Sequence, residues 1–259
     1  MSKKPVTGTK EWASVSVNCM TGCEHDCNYC YAKAMAIRFE QATEKTWKIP
    51  RVREKEVKKG RRKTSGRIMF PTTHDITPKF LDPCLSVLKK MLAAGNEVLI
   101  VSKPHRECIE RLCYELAEYK DQIMFRFSIG AMDNEILKYW EPGAPSFEER
   151  LYCLAHACET GFETSVSCEP LLDAFNVEDL VDELSPYVTH SIWIGKMNRI
   201  PERCSKADPE RVATIREGQL DSSIWSIYEA LKDNPLIRWK ESYKAVLGIT
   251  LETEKGTDR

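Results

Sequence analysis

The chain has 259 residues, 42% apolar and 30% charged, with a formal net charge of −1. That balance suits a globular protein with a sizeable core and excludes a uniformly basic surface, so a polyanion would have to meet a local patch. No apolar run reaches membrane-spanning length and the start MSKKPVTGTKEW lacks the apolar core of a signal peptide, so the expectation is a cytoplasmic protein without membrane contact.

In chain order, Trp12–Met20 alternates and is rich in Val, which predicts a first strand running straight into a cysteine-rich loop. Tyr31–Gln41 reads as an amphipathic helix. Lys45–Lys63 carries ten Lys or Arg against two Glu and few apolar residues, the pattern of an exposed excursion. Strand-then-helix pairs follow: strand Arg67–Ile76 with helix Lys79–Ala94 closed by Gly95, then strand Glu97–Val101 with helix His105–Tyr119. Strand Gln122–Gly130 precedes helix Asn134–Trp140. A second helix, Ser146–Thr160, opens on a Ser with Glu149 three residues on, a capping box, and stops at Gly161. Strand Glu163–Leu172, helix Val177–Leu184 and strand Ser191–Lys196 complete the series. From about Asp208 the pattern gives two helices, with a short strand near Ile249.

Six strands alternating with helices predict an α/β fold, a partial (β/α)6 TIM-like barrel of parallel strands over residues 1–207, with 208–259 as a helical C-terminal extension. In such folds chemistry sits at the carboxyl ends of the strands. Here those ends carry the cysteine loop, Thr72–Asp75, Ser102–Lys103, Ser128, Cys168–Glu169 and Lys196–Asn198.

Four of the eleven cysteines fall between positions 19 and 30, and that clustering reads as metal ligation. The other seven, scattered from Cys84 to Cys204, are expected as buried small apolar residues. Cys23–Cys30 reads CEHDCNYC, a C-x-x-x-C-x-x-C loop. Three thiolates there would take three corners of a cubane cluster and leave one iron open for a ligand. A structural zinc site with Cys19 or His25 as fourth ligand stands beside that reading. So does a protein that bears a metal or cluster only to bind nucleic acid or sense redox state.

CEHDCNYC, with Tyr29 before the last Cys and Tyr31 after it, resembles the signature of the radical S-adenosylmethionine (SAM) superfamily. FPTTHDITP and EPGAPSFEERLYCLAHACETGFETSVSCEPLL then resemble the branch that contains spore photoproduct lyase and its relatives, over roughly Ser14 to Asn198. The resemblance implies a [4Fe–4S] cluster on Cys23, Cys27 and Cys30, its open iron chelated by the amino and carboxyl groups of SAM. Reductive cleavage would then give a 5′-deoxyadenosyl radical that abstracts hydrogen from substrate, with the electron from a donor such as flavodoxin or ferredoxin.

By position on the matching strands, Tyr29 would lie near adenine, Thr72, Thr73 and Asp75 near the methionine amino group, and Ser128 near the ribose. Arg150 matches the Arg of the E-x-R segment, and Glu169 would bind ribose or substrate. His74 is a candidate proton donor, and Lys103 suits a carboxylate or phosphate. Cys168, at a strand end, is a candidate hydrogen donor by analogy with the cysteine that serves spore photoproduct lyase. The basic run 45–63, with Trp47, Trp239 and Lys240 for stacking and charge, could track phosphates and favours a nucleic-acid substrate, with modification of a peptide or small metabolite open beside it.

Overall fold

The computed structural model describes residues 4–256. Its strands are β1 Val15–Ser16, β2 Met20–Thr21, β3 Arg51–Val52, β4 Ile68–Phe70, β5 Val98–Ser102, β6 Ile123–Ser128, β7 Glu163–Cys168, β8 Ser191–Ile194 and β9 Ile237–Trp239. Seven form one sheet in the order β1-β4-β5-β6-β7-β8-β9, every neighbouring pair parallel. The sheet does not close on itself, so the architecture is the expected partial barrel, with one strand more. That strand is β9, which lies in the stretch expected to be helical. It follows the helices Pro209–Glu217 and Asp221–Leu231 and precedes Glu241–Leu247, so the C-terminal segment completes the sheet, and no strand forms at Ile249.

Because each new strand is added beside the last, the connecting helices collect on one side of the sheet. Side chains sort by the two-residue period of a strand. On β6, Ile123, Phe125 and Phe127 join the large core under the helices, while Met124 faces the other way. On β5, Val98 and Ile100 join the helix side and Leu99 the opposite one. Trp12, Ala13, Met69 and Trp193 join Leu99 and Met124 as the floor of the concave face.

The helix signals hold with one adjustment. Gly95 and Gly161 end their helices with φ of 77° and 85°, as a left-handed C-terminal residue should. Ser146 Oγ accepts from the Glu149 N–H at 3.3 Å, but the Glu149 carboxylate turns away to accept from the Arg106 N–H at 2.9 Å, so the capping box is only half made.

The basic run is more structured than an excursion. It holds the helices Glu44–Trp47 and Glu54–Lys58, and β3 pairs antiparallel with β2. Most of its charges are exposed, whereas Trp47 is 2% exposed and anchors it. Among the described residues no helix is long and apolar enough to cross a membrane.

Candidate functional site

The cysteine loop is held in shape from two directions. Gly22 opens it at φ 99°, and a Cβ there would stand 2.6 Å from the Trp47 carbonyl oxygen, which accepts from the Cys23 N–H at 3.0 Å. From the other side, the segment after helix Asn134–Trp140 closes on the loop. The Trp140 carbonyl accepts from the Asn28 N–H at 2.9 Å, and the Gly143 N–H donates to the His25 carbonyl at 3.0 Å. A Cβ on Gly143 would lie 2.4 Å from the Glu24 carbonyl oxygen and 2.9 Å from His25 Cα, both backbone atoms that cannot swing aside. Gly143→Ala is therefore expected to cost about 1–3 kcal/mol and to lower bound metal per chain, checked by thermal melting and by metal analysis of the same preparation.

Cys23 and Cys27 are buried at 7% and 6% exposure and Cys30 is half-buried. All three are free and face one cavity of about 1230 Å³. Cys30 Sγ caps helix Tyr31–Arg38 by accepting from the Lys33 N–H at 3.4 Å. Burial pushes all three thiols up, and at Cys23 the Asp75 carboxylate and the two neighbouring sulfurs push further. Three thiolates so placed repel one another unless a cation sits among them, which is the donor set a metal or iron–sulfur group requires. No other cysteine among the described residues lines the cavity. Cys19 lies outside it, with its Sγ 3.7 Å from Cys84 Sγ and 3.9 Å from His74 Nε2. Donor atoms of Cys23, His25 and Asp75 also lie within 4.8 Å of one another. Both His25 ring nitrogens are engaged, however, Nδ1 with Asp75 and Nε2 with His105, each at 2.8 Å. The residues fit three-thiolate ligation better than a zinc site completed by Cys19 or His25.

The strand ends form the opposite wall. Asn18 Oδ1 accepts from the Thr72 and Thr73 N–H groups at 2.7 and 2.9 Å, and Asn18 Nδ2 donates to Thr72 Oγ1 at 2.7 Å. Asp75 Oδ1 accepts from Ser102 Oγ at 3.0 Å and from the Lys103 N–H at 2.8 Å. Burial opposes the Asp75 charge, yet Lys103 and His25 outweigh it and hold the carboxyl well below its usual range. Lys103 Nζ lies 4.0 Å from Asp75, 3.7 Å from Glu141 and 5.8 Å from the centre of the Tyr29 ring. Burial works against its charge too, and the acidic groups around it hold it well above its usual value.

Of the residues expected at the site, Cys23, Cys27, Cys30, Tyr29, Thr72, Thr73, His74, Asp75, Lys103, Ser128 and Glu169 all face the cavity, as do Lys196 and Asn198. Arg150 and Cys168 do not. Arg150 is fully buried beneath, where Nη1 meets Glu141 at 2.6 Å and the Ser128 carbonyl at 3.1 Å, and Nε donates to the Pro145 carbonyl at 2.9 Å. Cys168 fails by parity. Ser167 and Glu169 face the cavity, so the residue between them points into the helix-side core, where burial pushes its thiol up to about 12. Cys168→Ala is expected to leave any product distribution unchanged and to cost about 1 kcal/mol as a small core truncation, measured by product analysis beside chemical denaturation.

Three further corrections concern the expected stacking and phosphate residues. Trp47 is buried, Trp239 is half-buried and stacked on Tyr243 at 5.7 Å, and Lys240 is fully buried. The Lys240 ammonium lies 2.6 Å from Glu11 and 3.6 Å from both Glu169 and Glu241, and 4.0 Å from the centre of the Trp12 ring. It braces the cavity wall from behind.

Glu141, which no motif in the sequence singles out, is 3% exposed at the site. Its carboxylate accepts from the Tyr29 hydroxyl, pairs with Arg150 and faces Lys103. Its only signal is its place at the head of the EPGAPSFEER segment.

A family model described as the radical SAM superfamily matches residues 17–185. Among curated proteins, the chain is 27% identical over 197 residues to the uncharacterized protein ORF301 of Acidianus two-tailed virus, covering 71% of this chain and 64% of that one. It is 24% identical over 191 residues to the uncharacterized protein MJ0683 of Methanocaldococcus jannaschii, covering 72% of each. The chain thus spans a little under two thirds of the viral relative. Among solved structures, a spore photoproduct lyase complexed with dinucleoside spore photoproduct superposes with a TM-score of 0.58 at 16% identity, covering 92% of this chain and 79% of the other. Streptococcus suis SuiB bound to S-adenosylmethionine superposes with a TM-score of 0.52 at 11% identity, covering 90% and 52%. At these identities the likeness concerns the fold.

Proposed function

The chain belongs to the radical SAM superfamily, and on that premise we propose that it is an enzyme that reductively cleaves SAM and acts as a lyase or modifying enzyme on a nucleic-acid substrate. The superfamily uses a [4Fe–4S] cluster and SAM, which together supply a carbon-centred radical for hydrogen abstraction. One observation carries the reading: three free thiols, two buried and one half-buried, with no fourth among the described residues, share a cavity with the carboxyl ends of the strands.

In this reading Cys23, Cys27 and Cys30 are the cluster ligands. Thr72 and Thr73, fixed by Asn18, bind the methionine amino group, with Asp75 holding that turn to His25 and Lys103. Lys103 offers an ammonium to the SAM carboxylate. Tyr29 bounds the adenine, and Ser128 and Glu169 serve the ribose or the substrate. Arg150 acts at one remove, keeping Glu141 charged opposite Lys103 and Tyr29. The cavity-lining cysteines and strand-end residues lie within residues 1–207, read as the catalytic unit, with 208–259 as its extension.

Support for a nucleic-acid substrate comes from the exposed charges of residues 45–63 and from the dinucleoside bound by one structural neighbour. The electron donor is read as a flavodoxin or ferredoxin. A reducing cytoplasm agrees with eleven free cysteines.

Metal analysis of protein purified without oxygen tests the ligand assignment. The expected content is about four irons and four sulfides per chain. One zinc per chain with no sulfide would overturn it.

A further inference from the structure

The lining of the cavity is unbalanced in charge. Eight lysines and arginines line it against four carboxylates. Lys103 is engaged by Asp75 and Glu141. Arg199 and Arg203 are different, because neither makes an ion pair or a hydrogen bond through its side chain among the described residues.

Both sit on the turn after β8. Arg199 adopts a left-handed backbone, φ 56° and ψ 47°, just before the helical turn Ile200–Arg203. A non-glycine residue in that region is strained, and such strain persists where the surroundings fix it, commonly at binding sites. The Arg203 N–H donates to the Arg199 carbonyl at 3.0 Å, which places the two residues four apart on one helical face, and both side chains line the cavity. Ile200 and Cys204 are buried beneath them and anchor the turn. The Arg203 guanidinium stands 5.7 Å from the centre of the Tyr31 ring, whose hydroxyl donates to the Thr72 carbonyl. Burial and the neighbouring Arg199 together hold Arg203 below its usual range. Lys196 lines the same stretch, its N–H bound to Ser242 Oγ at 3.0 Å. Glu202 also faces the cavity but forms no ion pair with either arginine.

Two like charges four residues apart repel, and a folded chain that holds them together at a cavity mouth, with Glu202 and Glu169 nearby but in ion pair with neither, is built to receive an anion from outside. A guanidinium pair matches the fork geometry of a phosphate, and the nearby lysine adds a point charge. We propose that Arg199 and Arg203, with Lys196, form a phosphate-binding subsite for the substrate at the mouth of the cavity, about the cysteine loop. This deepens the nucleic-acid reading and rests on it only for the source of the phosphate, which would be a polynucleotide backbone or a free phosphate ester.

The test is binding, with enzyme reconstituted without oxygen and saturated with SAM so that the cofactor site is filled. A fluorescent single-stranded oligonucleotide is titrated by anisotropy over a series of salt concentrations, and ribose 5-phosphate is compared with ribose by calorimetry. The proteins are wild type, Arg199→Ala/Arg203→Ala and Arg199→Lys/Arg203→Lys, each checked for iron content and for circular dichroism. The wild type should prefer ribose 5-phosphate to ribose by about tenfold or more, the alanine pair should lose the preference, and the lysine pair should keep most of it. The slope of log affinity against log salt for the oligonucleotide should fall by roughly 1–1.5 in the alanine pair, the loss of two single-strand phosphate contacts. Alanine and wild-type proteins indistinguishable on both ligands overturn the subsite. Arginine-dependent binding of ribose 5-phosphate with no oligonucleotide binding upholds the subsite and removes the polynucleotide. Oligonucleotide binding that ignores both arginines, without a phosphate preference, does the reverse. Wild type that binds neither ligand removes both.

Discussion

Glu141→Gln is expected to lower stability by about 3–5 kcal/mol, because it leaves the fully buried Arg150 guanidinium without its counter-charge. The substitution preserves shape and some hydrogen bonding, so the loss reports the charge. Arg150 and Lys103 are the two cations facing this carboxylate, at 2.6 and 3.7 Å. At roughly 2–4 °C per kcal/mol for a chain of this size, the change in Tm is large enough for calorimetry. The dependence on pH has a definite sign. Burial opposes the charged carboxyl, but Arg150 and Lys103 outweigh burial and hold Glu141 below its usual range. A carboxyl depressed in the folded state stabilises above its unfolded pKa, and the contribution is lost as pH falls through the folded one. The gap between wild type and Glu141→Gln should therefore be widest near neutrality and narrow in acid. A gap that is constant down to the acid transition would mean that Glu141 is not the ionised partner of Arg150. The variant should also change SAM binding, since Lys103 and the Tyr29 hydroxyl both lean on Glu141.

Cys27→Ala is expected to remove the cluster and with it all SAM cleavage, while the fold persists. Cys27 lies in the middle of the loop and faces the cavity, so two thiolates would remain where three corners need filling. Iron should fall from about four per chain to near background, and the visible absorbance of the reconstituted protein should vanish with it. The fold should survive because the thiol makes no structural hydrogen bond of its own and replacing it removes one small group. The loop itself is held by backbone contacts, from Asn28 to the Trp140 carbonyl and from Cys23 to the Trp47 carbonyl. Circular dichroism and the melting curve of the metal-free form should then match those of metal-free wild type. Full iron and activity in Cys27→Ala would mean that a different cysteine holds the metal.

The convergence of the strand ends was legible because it follows from topology: parallel strands that alternate with helices must present all their carboxyl ends together, whatever the side-chain detail. The cysteine loop was legible because its spacing is local. What was lost depended on parity, on burial or on contacts distant in sequence. Cys168 was placed at the right strand end but on the wrong face, since a run such as ETSVSC with both faces covered gives no alternation from which to read which residue turns inward. β9 escaped because Ile237–Trp239 is three residues long and follows two helices without a distinctive strand pattern. Trp47 and Lys240 looked like surface residues by composition, and only tertiary packing shows one wedged under the cysteine loop and the other enclosed by three carboxylates and Trp12. Glu141 could not be paired in advance with Tyr29, 112 residues away. Arg150 was noticed for the family pattern, and its place beneath Ser128 gives it a bracing role instead of a contact with cofactor.

The most direct test of the account is anaerobic. Reconstituted protein is reduced with dithionite and supplied with SAM, and 5′-deoxyadenosine is measured by mass spectrometry, with and without an added oligonucleotide. The wild type should give 5′-deoxyadenosine and Cys27→Ala none. An intact, reducible cluster that yields none under either condition would contradict the account.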